Sequence, residues 1–253
     1  MIVLVTGATS GFGAAIARRF AAEGHRIIAA GRRSERLTAL QAEFGAQRIH
    51  PLVLDVRQRS EVDAAIAALP ADLAAIDLLV NNAGLARSLE PAQRVDPEDW
   101  EQMVDTNIKG LLYVTRAVLP GMVERGRGHI VNLGSIAATY PYPGGNVYGA
   151  SKAFVRQFSL GLRADLFGTP VRVTDVEPGL VGGTEFSTVR FGGDAQRAAK
   201  LYEGADALTP EDVAEAVHWV ACLPARVNIN AIEMMPVTQS FGPLPVFRRS
   251  APS

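Results

Sequence analysis

The sequence predicts an α/β fold in which helices cover both faces of a doubly wound parallel sheet. Short β-branched runs such as IVLVT (2–6) and RIIAAG (26–31) alternate with alanine-rich stretches such as FGAAIARRFAAEG (12–24). These runs are apolar at successive positions, which is typical of strands buried on both faces. Strands of this kind, each followed by a helix, form parallel sheets.

The same alternation continues along the chain and gives seven strands. The next predicted strands are 49–56, 76–84, 129–135, 171–179 and 229–236, and the helices are 34–44, 60–69, 96–122, 147–167 and 209–223. Thr209 and Pro210 mark the start of the last helix as its N-cap and first helical residue. We expect a Rossmann-like, doubly wound, seven-stranded parallel sheet in a single domain that covers 1–253.

Composition narrows the class of protein. Hydrophobic residues make up 48% of the 253 residues, which is enough for one sizeable core. The formal net charge is -1, so no overall field attracts nucleic acid. Cys222 is the single cysteine and no Cys/His cluster has metal-ligand spacing, so we expect no disulfide, no metal and a reducing compartment. The first apolar run is too short for a signal peptide or membrane span, which predicts a soluble, cytoplasmic protein without a membrane partner.

The loop after the first strand is a candidate phosphate site. In doubly wound sheets ligands bind beyond the carboxyl ends of the strands. The segment TGATSGFG (6–13) follows the first strand, and Gly7, Gly11 and Gly13 mark a tight turn into a helix. Glycine lets the backbone approach a pyrophosphate, and the helix amino terminus offers it free N–H groups. The alternative is that these glycines only form a turn, since glycine is common in turns. No GKS or GKT follows, so a nucleoside-triphosphate loop is disfavoured.

The residues after the second strand indicate the cofactor. NAD-specific sites usually have an acidic residue there, whereas this chain has AAGRRSERL (29–37). Arg32 and Arg33 could clasp a 2′-phosphate, one by bidentate contacts and one by stacking over adenine, which favours NADP(H). The alternative is that both arginines only solvate the start of a helix. Asp55, at the end of the third strand, could accept a hydrogen bond from the adenine amine, or it could be a turn residue.

Tyr148 and Lys152 lie one turn apart on the predicted helix 147–167, so they share a face. A free tyrosine has a pKa of about 10. An ammonium about 4 Å away is worth roughly 4 kcal/mol at an effective dielectric of 20, which lowers that pKa by up to about three units. Tyr148 could then be a general base toward an alcohol or a general acid toward a carbonyl. The alternative is an exposed pair on a solvated face.

Several motifs together resemble the short-chain dehydrogenase/reductase family along nearly the whole chain. They are TGATSGFG, NNAG (81–84), Asn107, Ser135, YGASK (148–152) and EPGLVGGT (177–184). Segments 145–163, 176–187 and 223–240 look like the NADP-dependent 3-hydroxy acid dehydrogenases, which oxidise L-allo-threonine, serine and related acids and reduce malonic semialdehyde. The resemblance implies hydride transfer at a CH–OH group with NADP(H), and a homotetramer.

The resemblance also implies a role for each site residue. Tyr148 would move the proton, Lys152 would hold the nicotinamide ribose, and Ser135 would hydrogen-bond the substrate oxygen. Asn107 would hold a water that passes protons from Lys152, unless it only bends its helix. Ser135 as the nucleophile of a hydrolase is disfavoured because no GxSxG surrounds it. Further cofactor contacts are expected at Thr9, Ser10, Phe12, Leu54, Asn82, Ala83, Gly84, Pro178, Gly179, Val181 and Thr184.

Residues 180–208 form a long stretch of weak periodicity, which predicts a substrate lid. Gly182 and Gly183 could hinge it, and closure would exclude water from hydride transfer. Arg190 is the only arginine in its first half, so it is our candidate anchor for a substrate carboxylate; a solvent-facing charge is the alternative. Tyr140 and Tyr142 could form walls of the pocket.

The leading hypothesis is therefore a dehydrogenase for a small hydroxy or oxo acid. A reductase of another carbonyl, such as a 3-oxoacyl thioester, remains open, and so does a non-catalytic NADP-binding sensor. For a homotetramer, the last strand (229–236) and residues 234–242 could lie at an interface. The Pro-rich, basic tail 242–253 would lie over a neighbour or be partly disordered.

Overall fold

The computed structural model describes residues 1–242. The prediction that the C-terminal tail lies over a neighbour or is partly disordered concerns residues 243–253, which are outside this part of the chain. The seven strands form one parallel sheet in the order β3-β2-β1-β4-β5-β6-β7. They are β1 (Ile2–Thr6), β2 (Arg26–Gly31), β3 (Ile49–Val53), β4 (Leu78–Asn81), β5 (Gly128–Leu133), β6 (Val171–Pro178) and β7 (Ala231–Met234). The predicted doubly wound sheet is confirmed, and its strand order reverses between β1 and β4.

Nine α-helices connect or flank these strands in the described part of the chain. They are α1 (Gly11–Ala22), α2 (Ser34–Phe44), α3 (Arg59–Ala67), α4 (Pro97–Val104), α5 (Leu111–Glu124), α6 (Asn146–Asp165), α7 (Phe186–Arg190), α8 (Ala195–Lys200) and α9 (Pro210–Cys222). Thr209 caps α9 through the backbone N–H of Asp212, and Pro210 is its first residue, as predicted.

Alternation along each strand divides the apolar side chains between two cores. Val3 and Val5 of β1 belong to the core formed with α1, α2 and α9. Leu4 points the other way, into the core formed with α3, α5 and α6. All three side chains are 0% exposed, which explains why the strand sequences are apolar at successive positions.

The predicted helical region 96–122 contains a π-helical segment. Asp105–Gly110 separates α4 from α5 without ending the helical path. A Cβ at Gly110 would lie 2.7 Å from Val56 Cγ2, so this glycine permits a close approach to the loop after β3. The wider turn places Asn107 over the backbone after β4, where sequence periodicity alone indicates only a regular helix.

The predicted lid, 180–208, contains the two short helices α7 and α8 rather than a structureless loop. Its ends lie together, because Val181 and Leu208 form an isolated parallel bridge. Within residues 1–242 no helix is long and apolar enough to span a membrane, and no three acidic, histidine or cysteine side chains converge as a metal-binding group.

Candidate active site

The glycine loop after β1 leaves the amino terminus of α1 open. Gly7 and Gly11 have positive φ angles of 66° and 50°, which glycine adopts without strain. Ser10 is the N-cap residue, but its side chain makes no capping hydrogen bond. The first N–H groups of α1 are therefore available to an anion.

Gly13 has a different task from the other loop glycines. A Cβ at this position would collide with the Gly7 carbonyl oxygen and the Asn82 side chain. Asn82 Nδ2 donates to the Thr6 carbonyl oxygen over 2.8 Å, which ties the end of β4 to the end of β1. Gly13 thus allows α1 to pack closely on the loop, and it does not line the cavity described next.

A cavity of about 320 Å³ opens at the carboxyl ends of the strands. Fifteen predicted cofactor or catalytic positions line it: Gly7, Thr9, Ser10, Gly11, Phe12, Arg32, Arg33, Leu54, Asp55, Asn82, Ala83, Gly84, Tyr148, Lys152 and Thr184. Its lining does not include Gly13, Pro178, Gly179, Val181, Asn107, Ser135 or Arg190. Ten further lining residues were not predicted from the sequence: Gly31, Val56, Arg57, Leu85, Thr106, Leu133, Gly134, Glu185, Phe186 and Val189.

The arginine end of this cavity holds an ion-pair cluster. Arg33 donates to Glu185 over 2.8 Å, to the Ser10 hydroxyl over 2.7 Å and to the Thr9 hydroxyl over 3.0 Å. Arg36, one turn further along α2, donates to the other Glu185 oxygen over 2.7 Å. These two arginines lower the pKa of Glu185 to about 2. Arg36 shares a helix turn with Arg33, a signal visible in the sequence, whereas nothing in the sequence pairs either arginine with Glu185.

Asp55 lies at the cavity but is already engaged. Both its carboxylate oxygens accept hydrogen bonds from the Arg57 side chain, and the Arg57 backbone N–H donates to Oδ1 over 3.1 Å. The Arg57 guanidinium lowers the pKa of Asp55. Much of the acceptor capacity of this carboxylate is therefore used within the chain, and its contact with adenine stays a prediction.

Tyr148 and Lys152 project from α6 towards the ends of β4 and β5. Lys152 Nζ donates to the Leu133 carbonyl oxygen over 2.7 Å and lies 5.8 Å from the centroid of the Tyr148 ring. Lys152 is only 8% exposed, which excludes the solvated-face alternative. Burial lowers the pKa of Lys152 to about 8.

The pKa of Tyr148 shifts in the direction opposite to that expected from the sequence. Burial raises it, while the neighbouring Ser135 hydroxyl and the Arg190 guanidinium lower it by less. The attraction of a nearby ammonium would lower this pKa, whereas desolvation of the phenolate is the largest influence in the folded protein. In this structure the phenol therefore favours its protonated form.

Ser135 lies at the start of the turn that follows β5. Its hydroxyl accepts from the Ala137 backbone N–H over 3.1 Å and faces the Pro178 carbonyl oxygen at 3.5 Å. The residue is 8% exposed and lies beside the Tyr148 phenol, whose pKa it lowers. The ends of β5 and β6 thus hold a hydroxyl next to the tyrosine.

Asn107 occupies the π-helical segment and spans two elements. Its Oδ1 accepts from the Leu85 N–H over 2.9 Å, and its Nδ2 donates to the Leu85 carbonyl oxygen and to the Ser151 hydroxyl. A Cβ at Gly84 would lie 3.3 Å from Asn107 Oδ1 and 3.7 Å from Lys152 Nζ. Asn107 thus lies in the π-helical segment and shares the surroundings of Gly84 with Lys152, and its role in holding a water stays a prediction.

Arg190 reaches back from the lid into the site. Its guanidinium carbon lies 5.1 Å from the ring centroids of Tyr148 and Phe186, and Nη2 donates to the Tyr142 hydroxyl over 2.6 Å. The Ser88 N–H holds the Arg190 carbonyl oxygen over 3.0 Å. Arg190 is thus packed among aromatic rings rather than facing solvent. Contrary to the prediction, neither Tyr140 nor Tyr142 lines the cavity, and Tyr140 donates to Glu233 of β7 over 3.1 Å.

Two buried acids lie behind Ser135 and Lys152. Asp175 and Glu177 are both 1% exposed on β6, and neither Asp175 oxygen has a hydrogen-bond partner among the described residues. A Cβ at Gly134 would lie 2.5 Å from Asp175 Oδ1, so the acid packs against the turn that carries Ser135. Burial and the proximity of Glu177 raise the pKa of Asp175 to about 8. The sequence pattern gave no indication of this pair.

A parallel sheet with an open helix amino terminus, beside a buried lysine and a half-buried tyrosine one turn apart, is typical of dinucleotide-dependent dehydrogenases. Residues 1–192 match the family of short chain dehydrogenases, and the chain belongs to that family.

Individual relatives match almost the whole chain. It is 66% identical over 248 residues to the NADP-dependent 3-hydroxy acid dehydrogenase YdfG of Salmonella typhi, covering 98% of this chain and 100% of the relative. It is 52% identical over 248 residues to the serine 3-dehydrogenase of Agrobacterium fabrum, covering 98% of each. The closed form of serine dehydrogenase complexed with NADP+ matches with a TM-score of 0.97 and 64% identity, covering 98% of this chain and 100% of that chain.

Proposed function

We propose that this protein is an NADP-dependent oxidoreductase that interconverts a small 3-hydroxy acid and its 3-oxo acid by hydride transfer. L-allo-threonine, serine and 3-hydroxypropionate represent the hydroxy acids, and malonic semialdehyde represents the oxo acids. The observation that carries the proposal is the 66% identity along 98% of the chain to a 3-hydroxy acid dehydrogenase. Tyr148 and Lys152, which line the cavity, and Ser135, which lies beside Tyr148, support it.

The residues at the cavity fit a dinucleotide phosphate. The uncapped start of α1 and the loop at Gly7 and Gly11 would hold the pyrophosphate. Arg32 and Arg33, at the end of β2, would hold the 2′-phosphate. NADP(H) supplies the hydride acceptor in one direction of the reaction and the hydride donor in the other.

Side chains of α6 would carry out the proton transfers of the reaction. Tyr148 would accept the hydroxyl proton when the hydroxy acid is oxidised and donate a proton to the carbonyl oxygen during reduction. Burial favours the protonated phenol, which is the form that reduction requires. Lys152 would bind the cofactor ribose and stabilise the phenolate, and Ser135 would hold the substrate oxygen within reach of Tyr148. Asn107 would position a water next to Lys152.

The lid would supply recognition of the acid. Arg190 is a cation 5.1 Å from the Tyr148 ring, so a carboxylate bound to it would lie close to the proton-transferring group. Tyr142 holds this guanidinium in place through its hydroxyl. We assign residues 180–208 as the lid of a single domain, with Thr184 contacting the cofactor.

A substrate panel with both cofactors tests the proposal. We expect fast NADPH oxidation with malonic semialdehyde and fast NADP+ reduction with L-allo-threonine or serine, and much slower turnover with NAD(H). A preference for 3-oxoacyl thioesters would favour the carbonyl reductase alternative. Tight NADPH binding without turnover on any of these substrates would favour a sensor. Either result would overturn the proposed function.

We also propose that the protein acts as a homotetramer in the cytoplasm, where NADP(H) is available. Large apolar side chains at its surface support association with further copies: Leu160 is 45% exposed, Phe167 86% and Trp219 53%. Light scattering on the purified chain should give four times the 27.0 kDa of one copy. A monomeric mass at micromolar concentration would contradict this assignment.

A further inference from the structure

Glu185 joins the lid to the arginines of the cofactor site. It is the residue that precedes α7, and its carboxylate bridges Arg33 over 2.8 Å and Arg36 over 2.7 Å. Both arginines belong to the region of β2 and α2, roughly 150 positions earlier in the sequence. The bridge is therefore a tertiary contact between the lid and the region of β2 and α2, which are far apart in the sequence.

The bridge lies at the boundary of two cavities. Glu185 lines the cofactor cavity together with Arg33, Thr9 and Ser10. It also lines a second cavity of about 400 Å³ between α1, α2 and the lid, where Arg36 lies. The neighbouring residue Thr184 lies 3.4 Å from the position of a Cβ at Gly11, so the same part of the lid approaches the glycine loop.

We propose that Glu185 is a specificity-determining residue of the cofactor site, because its carboxylate competes with the 2′-phosphate of the dinucleotide for Arg33. This inference depends on the proposed function, in which the cofactor carries a 2′-phosphate that Arg33 binds.

The charges at the site give the direction of the effect. Arg33 and Arg36 carry two positive charges, and Glu185 cancels one of them before any ligand arrives. The two arginines keep the pKa of Glu185 at about 2, so the carboxylate stays ionised throughout the neutral range. A phosphate bound at Arg33 therefore lies close to the fixed negative charge of Glu185. Glu185 lowers the affinity of the site for the phosphate and also holds the lid against α2.

Binding of nucleotide fragments to the full-length protein tests the competition. The probes are 2′,5′-ADP, which has the 2′-phosphate, and 5′-AMP, which lacks it. Glu185→Gln keeps the shape of the side chain and removes its charge, and we expect its Kd for 2′,5′-ADP to fall roughly fivefold. Its Kd for 5′-AMP should stay within about twofold of wild type. Glu203→Gln, an exposed lid residue outside both cavities, is the matched control and should change neither value.

Lid release supplies a second measurement. Trypsin can cut the lid after Arg197 or Lys200 of α8. We expect cleavage of ligand-free Glu185→Gln to be several times faster than cleavage of wild type or Glu203→Gln.

The outcomes separate the two proposals. Unchanged or weaker binding of 2′,5′-ADP by Glu185→Gln overturns the competition, even when wild type prefers 2′,5′-ADP over 5′-AMP. Equal tightening of both nucleotides also overturns it, because the effect would not involve the 2′-phosphate. If wild type itself binds 2′,5′-ADP no better than 5′-AMP, the assignment of the cofactor in the proposed function fails as well.

Discussion

The guanidinium carbon of Arg190 lies 5.1 Å from the centroid of the Tyr148 ring, so a cation from the lid lies directly beside the phenol of α6. The same guanidinium donates to Tyr142 over 2.6 Å and lowers the pKa of Tyr148 against the larger effect of burial. In the proposed function, this one side chain would therefore act on both the substrate carboxylate and the phenol of Tyr148.

Replacing Arg190 should impair use of acidic substrates. We expect Arg190→Met to lower kcat/KM for serine roughly 100-fold, because a carboxylate would lose its charged partner in a partly buried site. Turnover of serine methyl ester, which lacks the carboxylate, should change much less. Arg197→Met, a lid variant whose guanidinium lies 4.5 Å from the Phe191 ring, is the control. Equal losses with serine and its ester would contradict the anchoring role.

Removing the phenol hydroxyl should stop proton transfer. We expect Tyr148→Phe to lower kcat by about 10³-fold or more, within the range typical of lost general acid–base catalysis. The Kd for NADPH, measured by fluorescence titration, should stay nearly unchanged. Tyr113→Phe on α5 makes the same chemical change outside the cavity and should remain active. Retention of more than a few per cent of wild-type activity would show that Tyr148 does not carry the proton.

The arginine pair should determine cofactor preference. In the double variant Arg32→Ala, Arg33→Ala, the KM for NADPH should rise by at least about tenfold, because charge-assisted hydrogen bonds to the 2′-phosphate would be lost. The KM for NADH, which has no such phosphate, should change by less than about twofold. Exposed Arg59→Ala on α3 is the control. Parallel increases for both cofactors would remove the 2′-phosphate assignment.

The buried acid Asp175 should make stability depend on pH. Its pKa is raised to about 8 in the folded protein by burial and by Glu177, while Lys152 and Arg156 oppose the shift. Between about pH 4 and pH 8 the folded state keeps a proton that the unfolded chain releases, so this group lowers the free energy of unfolding as pH rises. Asp175→Asn removes the titrating carboxyl group, and with it this decrease in the free energy of unfolding.

Thermal unfolding at several pH values measures the effect. The stability of Asp175→Asn relative to wild type should increase between pH 5.5 and pH 7.5, by at most roughly 2.5 kcal/mol. The exposed Asp165→Asn at the end of α6 should show no such trend. A relative stability that falls with pH would mean that Asp175 is ionised in the folded protein near neutral pH.

The sequence by itself determined the parts of this protein that depend on neighbours in the chain. Alternation of apolar strands with helices predicted the parallel sheet, because a strand that is buried on both faces is apolar at successive positions. The glycines after β1 and the spacing of Tyr148 and Lys152 are equally local, since a tight turn and one helix turn need only a few residues. These features positioned most of the cavity lining without knowledge of distant contacts.

Only the tertiary structure decided the contacts between remote segments and the electrostatics that burial controls. Glu185 meets Arg33, and Arg190 meets Tyr142, because packing of the lid brings them together, and no periodicity encodes such pairs. The direction of the Tyr148 pKa was wrong from sequence because desolvation depends on all the atoms around the phenol. The pattern of residues thus determines which side chains face the strand ends, whereas three-dimensional packing determines their partners and protonation.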